Sequence, residues 1–261
     1  MLLVFYGKVA LITGGASGIG KVHALQLASQ GAEVVILDID DLGLAECSAI
    51  AANITPLKCD VRDLLDVAKA VAKVEVEIGA IDRMIHCAAL MPGGLLNEVS
   101  AGQISELMTV NYTGMVNVSQ TVLPYMIRRN AGDFIVYGSV AGIVVTNRFG
   151  AYGATKAATN FYMKVLMNEN RSTNIRFQLV CPPAVDTPLI NQAKDKGPYF
   201  LKDIQTSRKN LVSPELVVAS VEKCLEKGVK INYPGPAKLI RILHPVFPNM
   251  LTRIVNKKNR V

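Results

Sequence analysis

The 261-residue sequence contains no tryptophan and only three histidines, His23, His86 and His244. The histidines are scattered and do not cluster with cysteines or acids, so no metal site is expected. Its five cysteines, Cys47, Cys59, Cys87, Cys181 and Cys224, are odd in number, widely spaced and form no Cys-x-x-Cys pair. That pattern argues against a disulfide framework and for reduced, mostly buried thiols in an intracellular protein. No apolar run reaches the ~20 residues that a membrane-spanning helix needs. The apolar stretch from Met1 to Lys8 is too short for a signal peptide, lacks a basic leading region and runs directly into a β-prone segment. Acidic residues are missing altogether after Glu226, where eight Lys or Arg follow, leaving 20 bases against 21 acids before that point. The net charge of +7 therefore resides in the tail, and the body is nearly neutral. With only Tyr233 and Phe247 among the tail's eight bases and a nearly neutral body, nucleic acid is not expected as a partner.

Half of the residues are hydrophobic, which suits a large, mostly buried sheet. Short apolar, β-prone runs alternate with helical patterns: Val9–Thr13, then a helix; Val34–Leu37, then a helix at about 41–52; a short strand ending at Cys59–Val61, then a helix at about 63–78; Arg83–Cys87, then a long helical region over about 101–129. The strand 133–138, a helix to about Asn168, the strand Ile175–Val180, a helix near 213–226 and a last strand Val229–Tyr233 complete the series. Strict alternation of this kind predicts an α/β fold, a doubly wound parallel sheet with helices on both faces. No repeat or linker interrupts it. The expected organisation is one domain over residues 1–233, with a basic extension over 234–261.

The first strand meets a glycine-rich turn, Gly14-Gly-Ala-Ser17-Gly18-Ile19-Gly20, followed by a helical pattern that stops at Gly31 and a second strand ending in Asp38. Glycines let the backbone turn sharply and approach a pyrophosphate, which the helix N-terminus attracts. An acid at the end of the second strand accepts hydrogen bonds from ribose hydroxyls and repels a 2′-phosphate. With no Arg or Lys next to Asp38 in the sequence, NAD(H) is expected over NADP(H). Asp40 and Asp41 read as helix caps.

Further along stands Tyr152-Gly-Ala-Thr-Lys156, at the start of a helical pattern. Residues four apart share a helix face, so the phenol and the ammonium point the same way. A nearby cation is expected to lower the phenol pKa from its ordinary value near ~10. Thirteen residues upstream, Ser139 ends the run Phe134-Ile-Val-Tyr-Gly-Ser, where its hydroxyl can hold a carbonyl or hydroxyl oxygen before the phenol.

From about Gly7 to Tyr233 the chain resembles the short-chain dehydrogenase/reductase family in its compact branch, through the Thr13–Gly20 turn, Asp60-Val61, Asn111 in Val-Asn-Tyr-Thr-Gly, Ser139 and Tyr152-x-x-x-Lys156. The resemblance implies a Rossmann-type fold and a catalytic tetrad. Tyr152 would be the general acid/base, Ser139 would orient the substrate oxygen, and Lys156 would lower the phenol pKa and hold the nicotinamide ribose. Asn111 would anchor a water in a proton relay. It also implies cofactor contacts from Gly14, Ser17, Gly18, Ile19, Gly20, Asp38, Asp60, Val61, Ala88, Tyr152, Lys156, Pro182, Val185 and Thr187. Two segments depart from the family's pattern. Where the family has Asn-Asn-Ala-Gly this chain has His86-Cys-Ala-Ala89, and where the family has Pro-Gly it has Pro182-Pro183, which stiffens the loop.

Residues 186–212 read as a lid over the substrate, with Leu189, Ile190, Tyr199, Phe200 and Leu201 in need of cover. In the tail, two short helical pieces separated by Pro245 and Pro248 carry apolar faces (Leu239, Ile240, Leu243; Met250, Leu251, Ile254, Val255) with bases between them. Such a segment either meets an anionic membrane surface or packs on the domain or a sister subunit. His244 reads as a helix-end surface residue. The tail is similar to those of family members active on lipids, steroids or retinoids. The expected function is therefore an NAD-dependent oxidoreductase acting on a hydrophobic secondary alcohol or ketone, cytoplasmic or peripheral on the inner face of a membrane, and a homodimer or homotetramer. The alternatives are a 3-oxoacyl thioester reductase or 3-hydroxyacyl dehydrogenase, a small sugar or polyol dehydrogenase, and a catalytically silent dinucleotide-sensing scaffold.

Overall fold

The computed structural model describes residues 5–199, 201 and 211–257. Strands β1 (Val9–Thr13), β2 (Glu33–Asp38), β3 (Ile54–Lys58), β4 (Ile81–His86), β5 (Asp133–Tyr137), β6 (Arg176–Val180) and β7 (Ile231–Asn232) form one sheet in the order 3-2-1-4-5-6-7. Every pairing is parallel. Between the strands run α1 (Gly18–Ser29), α2 (Asp41–Ser48), α3 (Leu64–Lys73), α4 (Ala101–Met108), α5 (Gly114–Arg129), α6 (Gly150–Glu169) and α7 (Pro214–Glu226). The chain ends in α8 (Ala237–Leu243) and α9 (Pro248–Asn256).

Alternate strand residues are apolar on both faces because both faces are covered. Leu11, Met84, Phe134 and Val136 pack with Val118, Val122 and Met163 of α5 and α6. Ala10, Ile12, Ile36 and Ile85 pack with Leu27, Val217 and Val221 of α1 and α7. The helices expected at 63–78 and 101–129 are each broken in hydrogen-bond pattern by a π-turn, at Val74–Ile78 and Thr109–Thr113. The last strand is shorter than the Val229–Tyr233 expected from its composition. It is an edge strand with only β6 to pair with.

One polar cluster lies within this core. Arg83, on central strand β4, is 1% exposed. Its Nε donates to Asp133 at 2.9 Å and its Nη1 to Glu222 at 2.6 Å, while Asp133 also accepts from Arg176 at 2.6 Å. The Phe5 ring covers the guanidinium, 4.4 Å from its centroid.

The sheet order reverses between β1 and β4, and the ends of these strands are joined by a buried side-chain bond, Thr13 Oγ1 to His86 Nδ1 at 2.8 Å. The family departure at His86 is thus a packed interior residue. The backbone after it also returns to Thr13, through Cys87 N to Thr13 O at 3.1 Å. His23 pairs likewise with the Tyr137 hydroxyl at 2.8 Å. Burial, reinforced by the Arg83 charge, pushes His23 down to about 3; burial, reinforced by the Lys156 charge, does the same to His86.

Both histidines are therefore neutral in the fold at any pH above that value, while the unfolded chain protonates them near ~6.5. Below pH 6.5 the unfolded state binds up to two more protons, so stability falls as pH falls and is fully present only above that window. Between pH 6.5 and 5 the expected loss is on the order of 3 kcal/mol for the pair, since each unfolded-state imidazole is already half protonated at pH 6.5. Urea midpoints measured across this range should show the slope, and it should flatten by about half in His86→Asn.

Candidate active site

A cleft of about 1090 Å³ opens along the C-terminal ends of the strands, at the β1–β4 reversal, where ligands bind in open α/β sheets. Gly14, Ser17, Gly18, Ile19, Gly20, Asp38, Asp60, Val61, Ala88, Tyr152, Lys156, Pro182, Val185 and Thr187, the residues expected to touch a dinucleotide, all line it. Ser17 is the N-cap of α1, yet its side chain caps nothing and the first helical turn holds no acid. The first-turn amides are thus served by no side chain, and the turn presents the positive end of the helix dipole. Gly18 adopts φ +52°, and a Cβ there would come within 3.2 Å of the Thr187 side chain, closing the cradle. These residues fit a dinucleotide with its pyrophosphate on α1.

The Asp38 carboxylate is fixed between the glycine turn and its own strand end. Oδ2 accepts from Ala16 N at 3.1 Å, and Oδ1 accepts from Ile39 N at 2.8 Å. Asp40 caps α2 through Gly43 N. The absence of neighbouring bases, true along the sequence, does not hold in space. Lys58 stands opposite Asp38 in the β2–β3 register, and Arg62 lines the cleft. Each is already paired, Lys58 with Asp41 and Arg62 with Asp60 at 2.6 Å. The Arg62 hydrogen bonds also hold Asp60 below the usual carboxylate range.

At the inner end of the cleft Ser139 and Tyr152 meet. Ser139 follows β5, and its Oγ accepts from Ala141 N at 3.0 Å, starting a short 3-10 turn over Val140–Gly142. That turn lies against α6, and the approach is close: a Cβ on Gly138 would sit 2.0 Å from Asn160 Oδ1. Tyr152 lies in the first turn of α6, its ring 5.4 Å from that of Phe149 and its hydroxyl hydrogen-bonded to Ser139. Lys156, one turn on, has its ammonium 5.9 Å from the Tyr152 ring centroid.

The electrostatics differ from the sequence expectation. Burial pushes Tyr152 up to about 12, opposed by the Ser139 hydrogen bond, so the phenol is raised where a lowering was expected. The Lys156 ammonium donates to Tyr137 O at 2.8 Å, and burial pushes Lys156 down to about 8. The sequence could not weigh burial, because the covering residues come from distant segments.

Asn111 does not line the cleft. It is 1% exposed, its Oδ1 accepts from Leu90 N at 2.7 Å, and its Nδ2 donates to Leu90 O and to Thr155 Oγ1, each at 2.9 Å. It ties the loop after β4 to α6, one residue before Lys156.

Beyond Tyr152 the cleft becomes apolar. Met91, Phe149, Leu189, Ile190 and Leu201 cluster there. The segment expected as a lid starts and ends at a Val185–Val212 bridge and carries a 3-10 turn over Pro188–Ala193. Phe200 and residues 202–210 of that segment lie outside the described residues, as do 258–261 of the tail. Sequence reasoning missed Met91 and Gln192, whose Oε1 accepts from Met91 N at 2.8 Å; neither sits in a recognisable motif. It left the position of the tail open between the domain, a sister subunit and a membrane surface. Ile240, Ile254 and Val255 line the same cleft, while His244 caps the end of α8 away from it. Among the described residues no helix is long and apolar enough to cross a membrane, and no His, Cys, Asp and Glu group could hold a metal ion.

The short chain dehydrogenase family model matches residues 8–197. A 2,3-dihydro-2,3-dihydroxybenzoate dehydrogenase of Bacillus subtilis is 34% identical over 187 residues, 70% of this chain and 72% of the relative. A 3-oxoacyl-(acyl-carrier-protein) reductase of Thermotoga maritima is 33% identical over 195 residues, 73% of this chain and 79% of the relative. Estradiol 17-beta-dehydrogenase 11 of Rattus norvegicus is 26% identical, but its match covers 98% of this chain and 85% of the relative. Among solved structures, a short chain dehydrogenase/reductase from Burkholderia phymatum in complex with NAD has a TM-score of 0.83 at 24% identity, covering 92% of this chain and 93% of that one.

Proposed function

The chain belongs to the short-chain dehydrogenase family, and on that premise we propose that it is an NAD-dependent dehydrogenase of a hydrophobic secondary alcohol or the corresponding ketone. The coarser statement, an NAD(P)-dependent oxidoreductase interconverting alcohol and ketone, follows from family membership. The observation that carries the finer one is the meeting of Ser139 and Tyr152 at the inner end of a cleft whose outer part is apolar.

Gly14, Ser17, Gly18, Ile19 and Gly20 would hold the pyrophosphate, with Asp60, Val61 and Ala88 about the adenosine half. Pro182, Val185 and Thr187 would lie beside the nicotinamide. When bound, the nicotinamide supplies or accepts the hydride. In the reductive direction Ser139 holds the carbonyl oxygen and Tyr152 gives it a proton as the carbon is reduced. A phenol raised to about 12 is protonated at neutral pH and ready to donate. In the oxidative direction the same oxygen must take the alcohol proton, so that direction gains from rising pH. Lys156, pushed down to about 8, exchanges its own proton nearer to neutrality and serves as the nearby proton reservoir. Asn111 positions α6 through Thr155.

Asp38 supports NAD over NADP, because its carboxylate is fixed at the strand end where a 2′-phosphate would arrive. Asp38→Ser is expected to narrow the NAD-over-NADP preference by at least about tenfold, the equivalent of 1.4 kcal/mol. Initial rates with each dinucleotide measure it; an unchanged ratio would remove Asp38 from the specificity argument.

The apolar outer cleft and the full-length match to a steroid dehydrogenase support a hydrophobic substrate. A second reading, a 3-oxoacyl thioester reductase, is supported by the bacterial reductase relative. The test is nicotinamide absorbance with purified protein and a panel of steroid, retinoid, hydroxyacyl and aliphatic secondary alcohols. Turnover confined to hydroxyacyl thioesters would select the second reading. Binding of NADH with no turnover anywhere would support the silent scaffold instead.

The catalytic unit is taken as residues 1–233 of a cytoplasmic protein, with 234–261 as an extension. The exposed Leu239, Ile242, Val246 and Phe247, beside Lys238 and Arg241, suit contact with an anionic lipid surface. Salt-sensitive sedimentation with phosphatidylserine vesicles tests that contact. Phe161 and Val165, exposed on α6, suit pairing of two copies, which light scattering tests.

A further inference from the structure

The tail does more than lie on the surface. Asn256, the last residue of α9, uses its amide as a two-sided clip. Its Oδ1 accepts from Asn147 N at 2.7 Å and its Nδ2 donates to Val145 O at 2.8 Å. A third bond, Nδ2 to Thr252 O at 2.9 Å, is the local one that a helix-end Asn makes anyway. The other two cross more than a hundred residues of sequence. They grip the loop that joins Ser139 to Tyr152. Along α9 itself Leu251 is buried, while Met250 and Ile254 are 43% and 61% exposed. Yet Ile254 and Val255 of α9, with Ile240 of α8, line the same cleft.

We propose that Asn256 is a specificity-setting residue: by clipping α9 to the loop between Ser139 and Tyr152, it makes the C-terminal helices the outer wall of the substrate cleft, so that long apolar alcohols are preferred to short ones. This rests on the reading of the substrate as a hydrophobic alcohol. A short alcohol reaches Ser139 and Tyr152 without touching the wall. A long one reaches the wall and buries its end against Ile240 and Ile254, a gain of about fourfold in affinity for each methylene covered. Asn256 touches neither cofactor nor reacting atoms, and acts by position alone.

The experiment measures kcat and KM for aliphatic secondary alcohols from butan-2-ol to dodecan-2-ol on the full chain, without lipid, in the wild type, Asn256→Ala, Asn256→Asp and Ile254→Asp. Length-dependent binding is followed in parallel by displacement of a fluorescent apolar probe. Two backbone hydrogen bonds at ~1 kcal/mol each bound the effect at roughly thirtyfold. The expected result in Asn256→Ala is a KM for the longest alcohol raised about tenfold, with kcat and the butan-2-ol KM within about twofold of wild type. Asn256→Asp keeps the acceptor for Asn147 N and loses the donor, so it should fall between. Ile254→Asp leaves the clip intact and should reproduce the loss for long alcohols only. Equal losses at all lengths, or none, would overturn the proposal. A wild type whose kcat/KM and probe displacement do not rise with length would instead sink the reading of an apolar substrate. If none of these aliphatic alcohols is turned over, probe displacement decides on the wall: weakened displacement in Asn256→Ala and Ile254→Asp supports it, and unchanged displacement overturns it.

Discussion

Tyr152→Phe is expected to lower kcat by ~10²–10⁴-fold, the range for loss of a positioned general acid, while dinucleotide affinity changes little. The substitution removes one oxygen and keeps the ring, which packs on Phe149 in a buried position. Ser139 loses the phenol as a partner but keeps Ala141 N, so its hydroxyl is not left alone. Burial of an ionisable phenol already raised to about 12 costs the fold little at neutral pH, because the group is uncharged there. The variant should therefore fold and melt near the wild-type temperature, and the deficit should appear in turnover. Steady-state kinetics with titration of NADH fluorescence separates the two. A kcat within tenfold of wild type would remove Tyr152 from the proton-transfer step.

The second large effect is on stability. Arg83→Met is expected to cost about 3–5 kcal/mol, the range for breaking a buried ion pair by deleting one partner. The guanidinium bonds Asp133 and Glu222 at the centre of the sheet, and Glu222 has no other ion-pair partner among the described residues. Asp133 retains Arg176, so the greater part of the damage falls on Glu222. For a chain of this size a loss of that magnitude lowers Tm by roughly 10 °C. Adding Glu222→Met should restore more than half of the loss, because the uncompensated carboxylate disappears. Thermal melts of the single and double variants decide it, and equal melting temperatures for both would mean that the cluster acts through packing alone.

The sequence exposed those features whose causes are local. The βαβ opening was legible because the Gly14–Gly20 turn must follow a strand and open a helix, and Asp38 because a strand end is a fixed distance from that turn. Tyr152 and Lys156 were legible because a helix sets their spacing. Features that need distant partners were not. Arg83 reads as an ordinary charged residue in a strand until Asp133 and Glu222, fifty and 139 positions away, are folded against it. His86 reads as a departure until Thr13 is seen beside it. The raised phenol of Tyr152 depends on how many segments cover it, and four residues of helix cannot report that. Asn256 belongs to no motif; its meaning comes entirely from the loop it grips.

The strand order has a consequence for how such a chain can change. It builds outward from β1 in one direction through β2 and β3, and in the other through β4 to β7. The end of the cleft that Asp38, Asp60 and Val61 line therefore comes from the first third of the chain, and the walls of the apolar end from the loops after β4, β5 and β6 and from the tail. These two sets share the sheet but few residues. Drift or recombination in the later segments can retune what is oxidised while the dinucleotide cradle stays intact, and a new tail is the smallest such exchange because it disturbs no strand.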